Sequence, residues 1–170
     1  MPTPITIARA AAADLPAVVN LCLLVEAQHE SYNPVRWKTR PGLHAGYLGW
    51  LTRHLDDPHM LILAARPPDD PGHIVGALLA AIETEIPIYV YKEYAFIHDL
   101  AVAESFRHQG IARQMLEQTR QWAAALGMTQ LRLMVASQNP SAQALFQALG
   151  FQLTYQEMIL PLTPPSPPLT

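Results

Sequence analysis

The chain has 170 residues, half of them hydrophobic and 15 % charged, with a formal net charge of −3 at pH 7. This length favours one domain with a sizeable core, and the slightly negative charge gives no indication of a nucleic-acid partner. One cysteine, Cys22, excludes an internal disulfide, and without a signal pattern or an apolar run of ~20 residues we expect a cytoplasmic protein with no membrane partner.

The N-terminal part predicts a short strand and two helices. Residues 5–8 alternate as a strand does, and Asp14 is a candidate N-cap for a helix with a proline in its first turn. Apolar residues at helical spacing bury one face of this helix, including Cys22, until an Asn-Pro pair at Asn33 ends it. A second helix is predicted for residues 42–55.

Two strands are predicted next, over residues 60–65 and 74–84, with a turn rich in proline and glycine between them. Residues 85–93 then connect to the central stretch of the sequence, residues 94–126. That stretch begins with the fourth predicted strand, the apolar residues 96–102.

A glycine turn and an amphipathic helix follow this strand. Apolar residues recur three or four positions apart from Ile111 to Leu126, and Gly110 lies where this helix begins. The first turn of a helix has unpaired N–H groups and a partial positive charge, so it can hold an anion such as a pyrophosphate. Gly110 would let the backbone approach the anion, and Arg107 and Arg113 add positive charge on either side unless they are only solvated.

The C-terminal part of the sequence, residues 130–170, predicts a strand, a helix, a last strand and a tail. Residues 130–136 alternate as a strand does, and Asn139 is a candidate N-cap for a helix that ends at a left-handed Gly150. Residues 151–160 are predicted as a last strand that completes a domain over residues 1–160. The proline-rich residues 161–170 are predicted to be a disordered tail.

Two motifs in this order carry a resemblance to a known family. The run Arg107-x-x-Gly110-x-Ala112 follows Asp-Leu-Ala-Val, and VASQNPSAQALFQALGF spans residues 135–151; there is no GxxxxGK[ST] or GxGxxG motif. The sequence strongly resembles the GCN5-related N-acetyltransferase (GNAT) superfamily over roughly residues 5–160, although the N-terminal third fits only in outline. The resemblance implies an α+β fold with a mixed, mostly antiparallel sheet flanked by four helices.

The resemblance also implies acetyl-CoA as the cosubstrate. In this family the strands equivalent to residues 96–102 and 131–135 are parallel neighbours that splay apart, and the thioester lies between them. The side chain of Asn139 is expected to contact the pantetheine arm, to cap its helix, or both. The residues expected at the coenzyme are Leu100, Ala101, Val102, Arg107, His108, Gln109, Gly110, Ile111, Ala112, Arg113, Asn139 and Phe146.

Phe146 is a departure from the family pattern. Many GNAT enzymes have a tyrosine at the matching position, whose hydroxyl protonates the departing thiolate. Either the thiolate leaves unassisted, as its moderate basicity allows, or another hydroxyl such as that of Tyr155 or Tyr94 donates the proton.

His98 is the candidate general base, because histidine titrates near neutral pH and this residue lies on the central strand. Since successive strand residues face opposite ways, only one of His98 and Asp99 should point to a given face. Glu83 and Glu85 are the alternatives as base, and a structural role for His98 is equally open. The seven histidines lack metal-ligand spacing, so no metal is expected.

The acceptor site is expected beside the first two helices, as in the family. The candidate acceptor contacts are His29, Glu30, Tyr32, Arg36, Trp37 and Glu85, with a polar surface loop as the alternative for those in the first loop. Tyr89 and Tyr91 are predicted either to line an acceptor pocket or contact a partner, or to end an extended hairpin.

The sequence therefore predicts an acetyl-CoA-dependent N-acetyltransferase in which a primary amine attacks the thioester directly. A small-molecule amine is the expected acceptor, because aromatic and acidic side chains suit a cationic amine. The alternatives are a non-catalytic acyl-CoA-binding sensor and an acetyltransferase for protein N-termini or lysines. By analogy with the family, a homodimer is also expected.

Overall fold

The computed structural model describes residues 4–162. Five strands and four helices follow one another in these residues: β1 (Thr6–Arg9), α1 (Leu15–Tyr32), α2 (Leu43–His54), β2 (Met60–Arg66), β3 (Gly76–Thr84), β4 (Glu93–Val102), α3 (Ile111–Ala125), β5 (Leu131–Leu133) and α4 (Pro140–Ala148). The strands form one sheet in the order of the sequence, antiparallel except for the parallel pair β4 and β5. The predicted α+β fold, with a mixed, mostly antiparallel sheet flanked by four helices, is confirmed.

The sheet separates two hydrophobic cores. One core contains α1 and α2, with Val18, Val19 and Leu51 fully buried against the strands. The other contains α3 and α4, with Met115 and Phe146 buried against the opposite face. Burying apolar surface on both faces is what holds helices on each side of the sheet.

Gly76 allows α3 to pack closely on the second face. A Cβ atom at this position would lie 3.0 Å from the Cβ of Ala65, 3.3 Å from Cγ2 of Ile111 and 3.4 Å from Sδ of Met115. These distances are tighter than ordinary van der Waals contacts, so a side chain at this position would push its neighbours apart. The first turn of α3, and with it the preceding loop, is therefore fixed close to the sheet.

A β-bulge interrupts the pairing of β3 with β4 at His98. Leu79 pairs with Asp99 and the next residue, Ala80, pairs with Ile97, so His98 has no partner on β3. An extra residue of this kind shifts the alternation of faces along the strand. As a consequence His98 and Asp99 both contact side chains of α2, and the prediction that they must face opposite ways is wrong.

Three local predictions differ from the structure. The Asp14 carboxylate does not cap α1; it accepts hydrogen bonds from the Ala11 N–H (2.8 Å) and from Arg66 (2.7 Å). The strand predicted for residues 130–136 has only three residues, Leu131–Leu133. The strand predicted for residues 151–160 is absent, since this segment belongs to no ladder and Leu153 and Tyr155 are exposed.

The last strand is missing because β5 has only three paired residues, too few to hydrogen-bond with a long neighbouring strand.

The predicted left-handed Gly150 is confirmed, with φ of 91°. Apart from Pro161 and Leu162, the predicted tail lies outside the described residues. Within residues 4–162, no helix combines the length and apolarity needed to cross a bilayer.

Candidate functional site

The loop before α3 presents a row of free backbone donors. Six N–H groups, those of residues 108–113, have no hydrogen-bond acceptor among the described residues. Gly110 has φ of 80°, and a Cβ there would meet only Nε2 of Gln114, at 4.0 Å, so the space in front of the loop is open. His108 also has a left-handed backbone, with φ of 62°. These features make the loop a suitable anion site.

The two arginines at this loop have different surroundings. Arg107 donates from Nε to the carbonyl oxygen of Val102, at 3.1 Å, which ties the loop to the end of β4. Arg113 is exposed on the first turn of α3. Gln109 donates to the carbonyl of Ser105, at 3.3 Å, while its own side-chain oxygen is buried without a partner in the described part of the chain.

β4 and β5 part beside this loop. Their pairing covers only Ala95 to Ile97 on β4, opposite Leu131 to Leu133 on β5. The remainder of β4, including the predicted coenzyme contacts Leu100, Ala101 and Val102, has no pairing with β5. Beyond Ile97 the two strands are not paired, and this unpaired stretch, up to the loop before α3, is the opening between β4 and β5.

Asn139 is the N-cap of α4, the helix that follows β5, and Phe146 lies within that helix. The Asn139 side-chain oxygen accepts from the Ala142 N–H at 3.1 Å, so its predicted helix-cap role is confirmed. Phe146 is buried in the core with its ring 5.7 Å from that of Phe151. Phe146 thus helps to hold α4 on the sheet, and its contact with the coenzyme stays a prediction.

His98 and Glu83 form a pair on the α2 side of the sheet. Nε2 of His98 lies 3.0 Å from Oε1 of Glu83, and both side chains are partly exposed. The His98 ring contacts Phe96 at 5.1 Å and the edge of Trp50 at 6.3 Å between centroids. Two of the catalytic candidates from the sequence, His98 and Glu83, are therefore brought together, while Tyr155 lines a separate cleft.

Asp99 is buried directly beside this pair. Its carboxylate is 6 % exposed and accepts a hydrogen bond from the Tyr47 hydroxyl on α2. Burial raises the pKa of Asp99 to about 6, although the bond from Tyr47 acts in the opposite direction. Burial and the nearby Asp99 raise the pKa of Tyr47 as well, and burial raises the pKa of Cys22 on α1.

The end of α1 brings together several predicted acceptor residues. The His29 ring lies 4.9 Å from that of Trp37 and 6.5 Å from that of Tyr32, and Glu30 accepts a hydrogen bond from Thr39 at 2.9 Å. Nδ1 of His29 is buried and has no partner within residues 4–162. The structure therefore brings His29, Tyr32 and Trp37 together, and their role as acceptor contacts stays a prediction.

Glu85 lies apart from this group, in an open cleft of about 660 Å³. Its carboxylate pairs with Arg132 at 2.5 Å, and this bond holds the pKa of Glu85 below its usual range. Arg132 also lies 3.8 Å over the ring of Tyr94. The cleft is lined by Glu85, Ile86, Tyr89, Val90, Tyr91, Gln130, Arg132 and Tyr155.

The segment after α4 connects this cleft with the end of α1. Tyr155 lines the cleft, and two residues further on Glu157 pairs with Arg36 at 2.8 Å. Arg36 also lies 4.2 Å over the ring of Trp37. The segment therefore crosses from one group of candidate acceptor residues to the other.

Sequence reasoning missed the contribution of α2. Tyr47 and Trp50 are three residues apart, a spacing that places them on one helix face, and their rings lie 5.9 Å apart. That spacing was a usable signal for a shared role. The contacts of Tyr47 with Asp99 and of Trp50 with His98 leave no such signal, because they join residues about 50 positions apart in the sequence.

The sheet topology and the two sequence motifs point to one family of proteins. The family model of the Acetyltransferase (GNAT) family matches residues 24–151, more than half of the chain. The chain belongs to this family, which confirms the resemblance seen in its motifs.

Individual relatives agree with this placement. The chain is 34 % identical to the uncharacterized N-acetyltransferase YycN of Bacillus subtilis over 104 residues, which are 61 % of this chain and 63 % of that protein. The match thus spans less than two thirds of the relative. Among solved structures, a mutant of the BH1408 protein from Bacillus halodurans superposes with a TM-score of 0.78 at 22 % identity, covering 93 % of this chain and 99 % of that one.

A further solved structure contains a coenzyme derivative. AAC(6')-Iy, an aminoglycoside N-acetyltransferase, was solved in complex with the bisubstrate analogue CoA-S-monomethyl-acetylneamine. It matches with a TM-score of 0.70 at 19 % identity, covering 94 % of this chain and 99 % of that one. At these identities the similarity shows the shared fold.

Proposed function

We propose that the protein transfers the acetyl group of acetyl-CoA to the primary amine of a small molecule. The observation that carries this proposal is the row of six free N–H groups over residues 108–113, which face open space at Gly110. Such a row at the positive end of a helix binds a pyrophosphate, the group that coenzyme A carries. Membership of the GNAT family supports the same coenzyme.

The opening between β4 and β5 is the proposed site of the pantetheine arm. Backbone groups of Leu100 and Val102 border it on one side, since they lack pairing with β5. On the other side Asn139 uses its side-chain oxygen to cap α4. Its two amide hydrogens have no acceptor within residues 4–162 and are donors for the arm.

The proposed reaction needs no enzyme nucleophile. The neutral amine attacks the thioester carbon while His98 takes the proton that the nitrogen loses, a role worth roughly 10²–10⁴ in rate for a well-placed base. The thiolate then leaves without help from Phe146, which has no proton to give. Tyr155, exposed beside the cleft, and Tyr94 are the hydroxyls proposed to assist it.

The acceptor is proposed to be a small molecule because the candidate contacts are rich in aromatic rings and one of them, Glu85, lines an open cleft. The rings of His29, Trp37 and Tyr32 at the end of α1 suit a cationic amine, and the tyrosines of the cleft at Glu85 add further aromatic surface. The AAC(6')-Iy complex, with its aminoglycoside-derived analogue, supports this class of acceptor. A homodimer and a cytoplasmic location stay predictions from the sequence.

Two measurements test the proposed function. Isothermal titration with coenzyme A should give saturable binding, and thiol release from acetyl-CoA should appear with one or more amines from a panel of polyamines, aminoglycosides, amino acids and peptides. Binding without thiol release across the panel would favour a sensor instead of an enzyme. Thiol release with peptides alone would move the acceptor to protein amines, and absence of coenzyme binding would remove the whole proposal.

A further inference from the structure

The contact between His98 and Glu83 constrains which ring nitrogen of His98 carries a proton. Nε2 lies 3.0 Å from Oε1 of Glu83. An ionised carboxylate accepts hydrogen bonds and cannot donate them, so the nitrogen that faces it must be the protonated one. We infer that Glu83 holds the neutral imidazole of His98 as its Nε2–H tautomer and leaves the lone pair on Nδ1 to take the amine proton.

The bulge fixes the position of this ring. His98 is the unpaired residue between Ile97 and Asp99, and its ring packs between Phe96 at 5.1 Å and the edge of Trp50 at 6.3 Å. Aromatic contacts of this kind hold a ring in place but do not choose between its two neutral tautomers. The hydrogen bond to Glu83 makes that choice.

The other titratable groups near His98 do not compete for the ring. Asp99, the next residue, is bonded to Tyr47 of α2, and Glu26 of α1 acts on Asp99 only through its charge. His54 of α2 bonds through Nδ1 to the carbonyl of Trp50, at 2.9 Å. Among residues 4–162, Glu83 is the one hydrogen-bond partner of the His98 ring.

The inference rests on the proposed acetyl transfer and specifies its proton step. As the nitrogen–carbon bond forms, the amine N–H bond breaks and its proton joins the Nδ1 lone pair, which gives an imidazolium. The positive charge then lies next to the Glu83 carboxylate, which stabilises it. Glu83 touches no reacting atom in this scheme and is a positioning residue.

Glu83→Val tests this role, because it removes the carboxylate at a partly exposed strand position where a β-branched residue is well tolerated. Glu93→Val is the matched control, since Glu93 is an exposed carboxylate on the neighbouring strand, paired in register with Thr84. The ¹⁵N chemical shifts of the His98 ring nitrogens, recorded at a pH where the ring is neutral, report the tautomer directly.

In the wild type and in Glu93→Val we expect a protonated Nε2 and an unprotonated Nδ1. In Glu83→Val both nitrogens should show averaged shifts of a tautomer mixture, and kcat should fall about 10- to 100-fold, because the imidazolium that forms loses its charge-assisted hydrogen bond. In a His98→Ala background, Glu83→Val should have no further effect on kcat.

Unchanged ring shifts in Glu83→Val, or a protonated Nδ1 in the wild type, would overturn the assignment. So would a loss of kcat in Glu83→Val that persists in the His98→Ala background. The ring shifts need no substrate, so a wild type without turnover would reject the proposed function, while the shifts would still decide the tautomer.

Discussion

The hydroxyl of Tyr47 donates a hydrogen bond to the buried carboxylate of Asp99, which joins α2 to β4 at the bulge. The bond gives the carboxylate a partner where little water reaches it, and it holds the helix that carries Trp50 against the His98 ring. Loss of this bond should therefore affect stability and the proposed base together.

Tyr47→Phe should reduce the free energy of unfolding by about 1–3 kcal/mol, because it leaves a buried carboxylate without its partner. Urea denaturation monitored by circular dichroism measures this as a lower midpoint. Tyr89→Phe is the control, since Tyr89 is 55 % exposed and its loss of a hydroxyl should leave the midpoint unchanged. Equal midpoints for Tyr47→Phe and the wild type would contradict the importance of the bond.

Asp99→Asn should change how stability depends on pH. The pKa of Asp99 is about 6 in the folded protein against an ordinary value of 3.8, so between these values the native state binds more protons than the unfolded state. The stabilisation from protonated Asp99 is therefore present below about pH 4 and is lost as the pH rises to about 6.

Relative to the wild type, Asp99→Asn should gain up to about 3 kcal/mol between pH 4 and pH 7, because two pKa units correspond to roughly that free energy. Urea denaturation of both proteins at several pH values measures the difference. Parallel curves for the two proteins would show that Asp99 does not titrate in this range.

Gly110→Ala should weaken coenzyme A binding roughly tenfold, or about 1.4 kcal/mol. The added methyl group enters the space in front of the free N–H row and strains a left-handed backbone with φ of 80°. Isothermal titration measures the dissociation constant.

Gly127→Ala is the matched control for this change. Gly127 follows the other end of α3, has φ of 77° and has open space around it, so the backbone strain is similar. Both variants should lose about 1–2 kcal/mol of stability, and only Gly110→Ala should lose affinity. An equal loss of affinity in both would mean that the anion site lies elsewhere.

Arg36→Ala should free the segment after α4 without much change in stability, because partly exposed ion pairs contribute about 0–1 kcal/mol. Limited chymotrypsin digestion followed by mass spectrometry should show several-fold faster cleavage within residues 152–160. Arg120→Ala, which removes the exposed pair with Glu117 on α3, should leave this cleavage unchanged. Equal cleavage in both variants would mean that Glu157 does not hold the segment in place.

The helices, the first four strands and the glycine turn before α3 could be predicted because their signals are local. The apolar spacing of α3 and the glycine at its start lie within one short stretch of the sequence. In the structure, Gly76 allows this helix to pack closely on the sheet. The resemblance to the family predicted in addition that β5 lies parallel beside β4. Patterns of this kind need no knowledge of what the segment contacts.

The features that failed depend on pairing between distant residues. The alternation rule placed His98 and Asp99 on opposite faces because nothing in the residues themselves marks the extra residue of a bulge. The segment at 151–160 has apolar residues typical of a strand. To form one it would have to pair with a neighbouring strand, and β5 has only three residues, which is too short for that pairing. The Tyr47–Asp99 bond likewise joins residues 52 positions apart.

The bulge changes the parity of β4. Before residue 98 the odd-numbered Ile97 faces the core of α3 and α4, whereas beyond it the odd-numbered Ala101 faces α1 and α2 and the even-numbered Leu100 and Val102 take the opposite side. A mutant library that randomises every second residue of this strand would therefore mix positions from the two faces of the sheet, and must be re-indexed by one at His98.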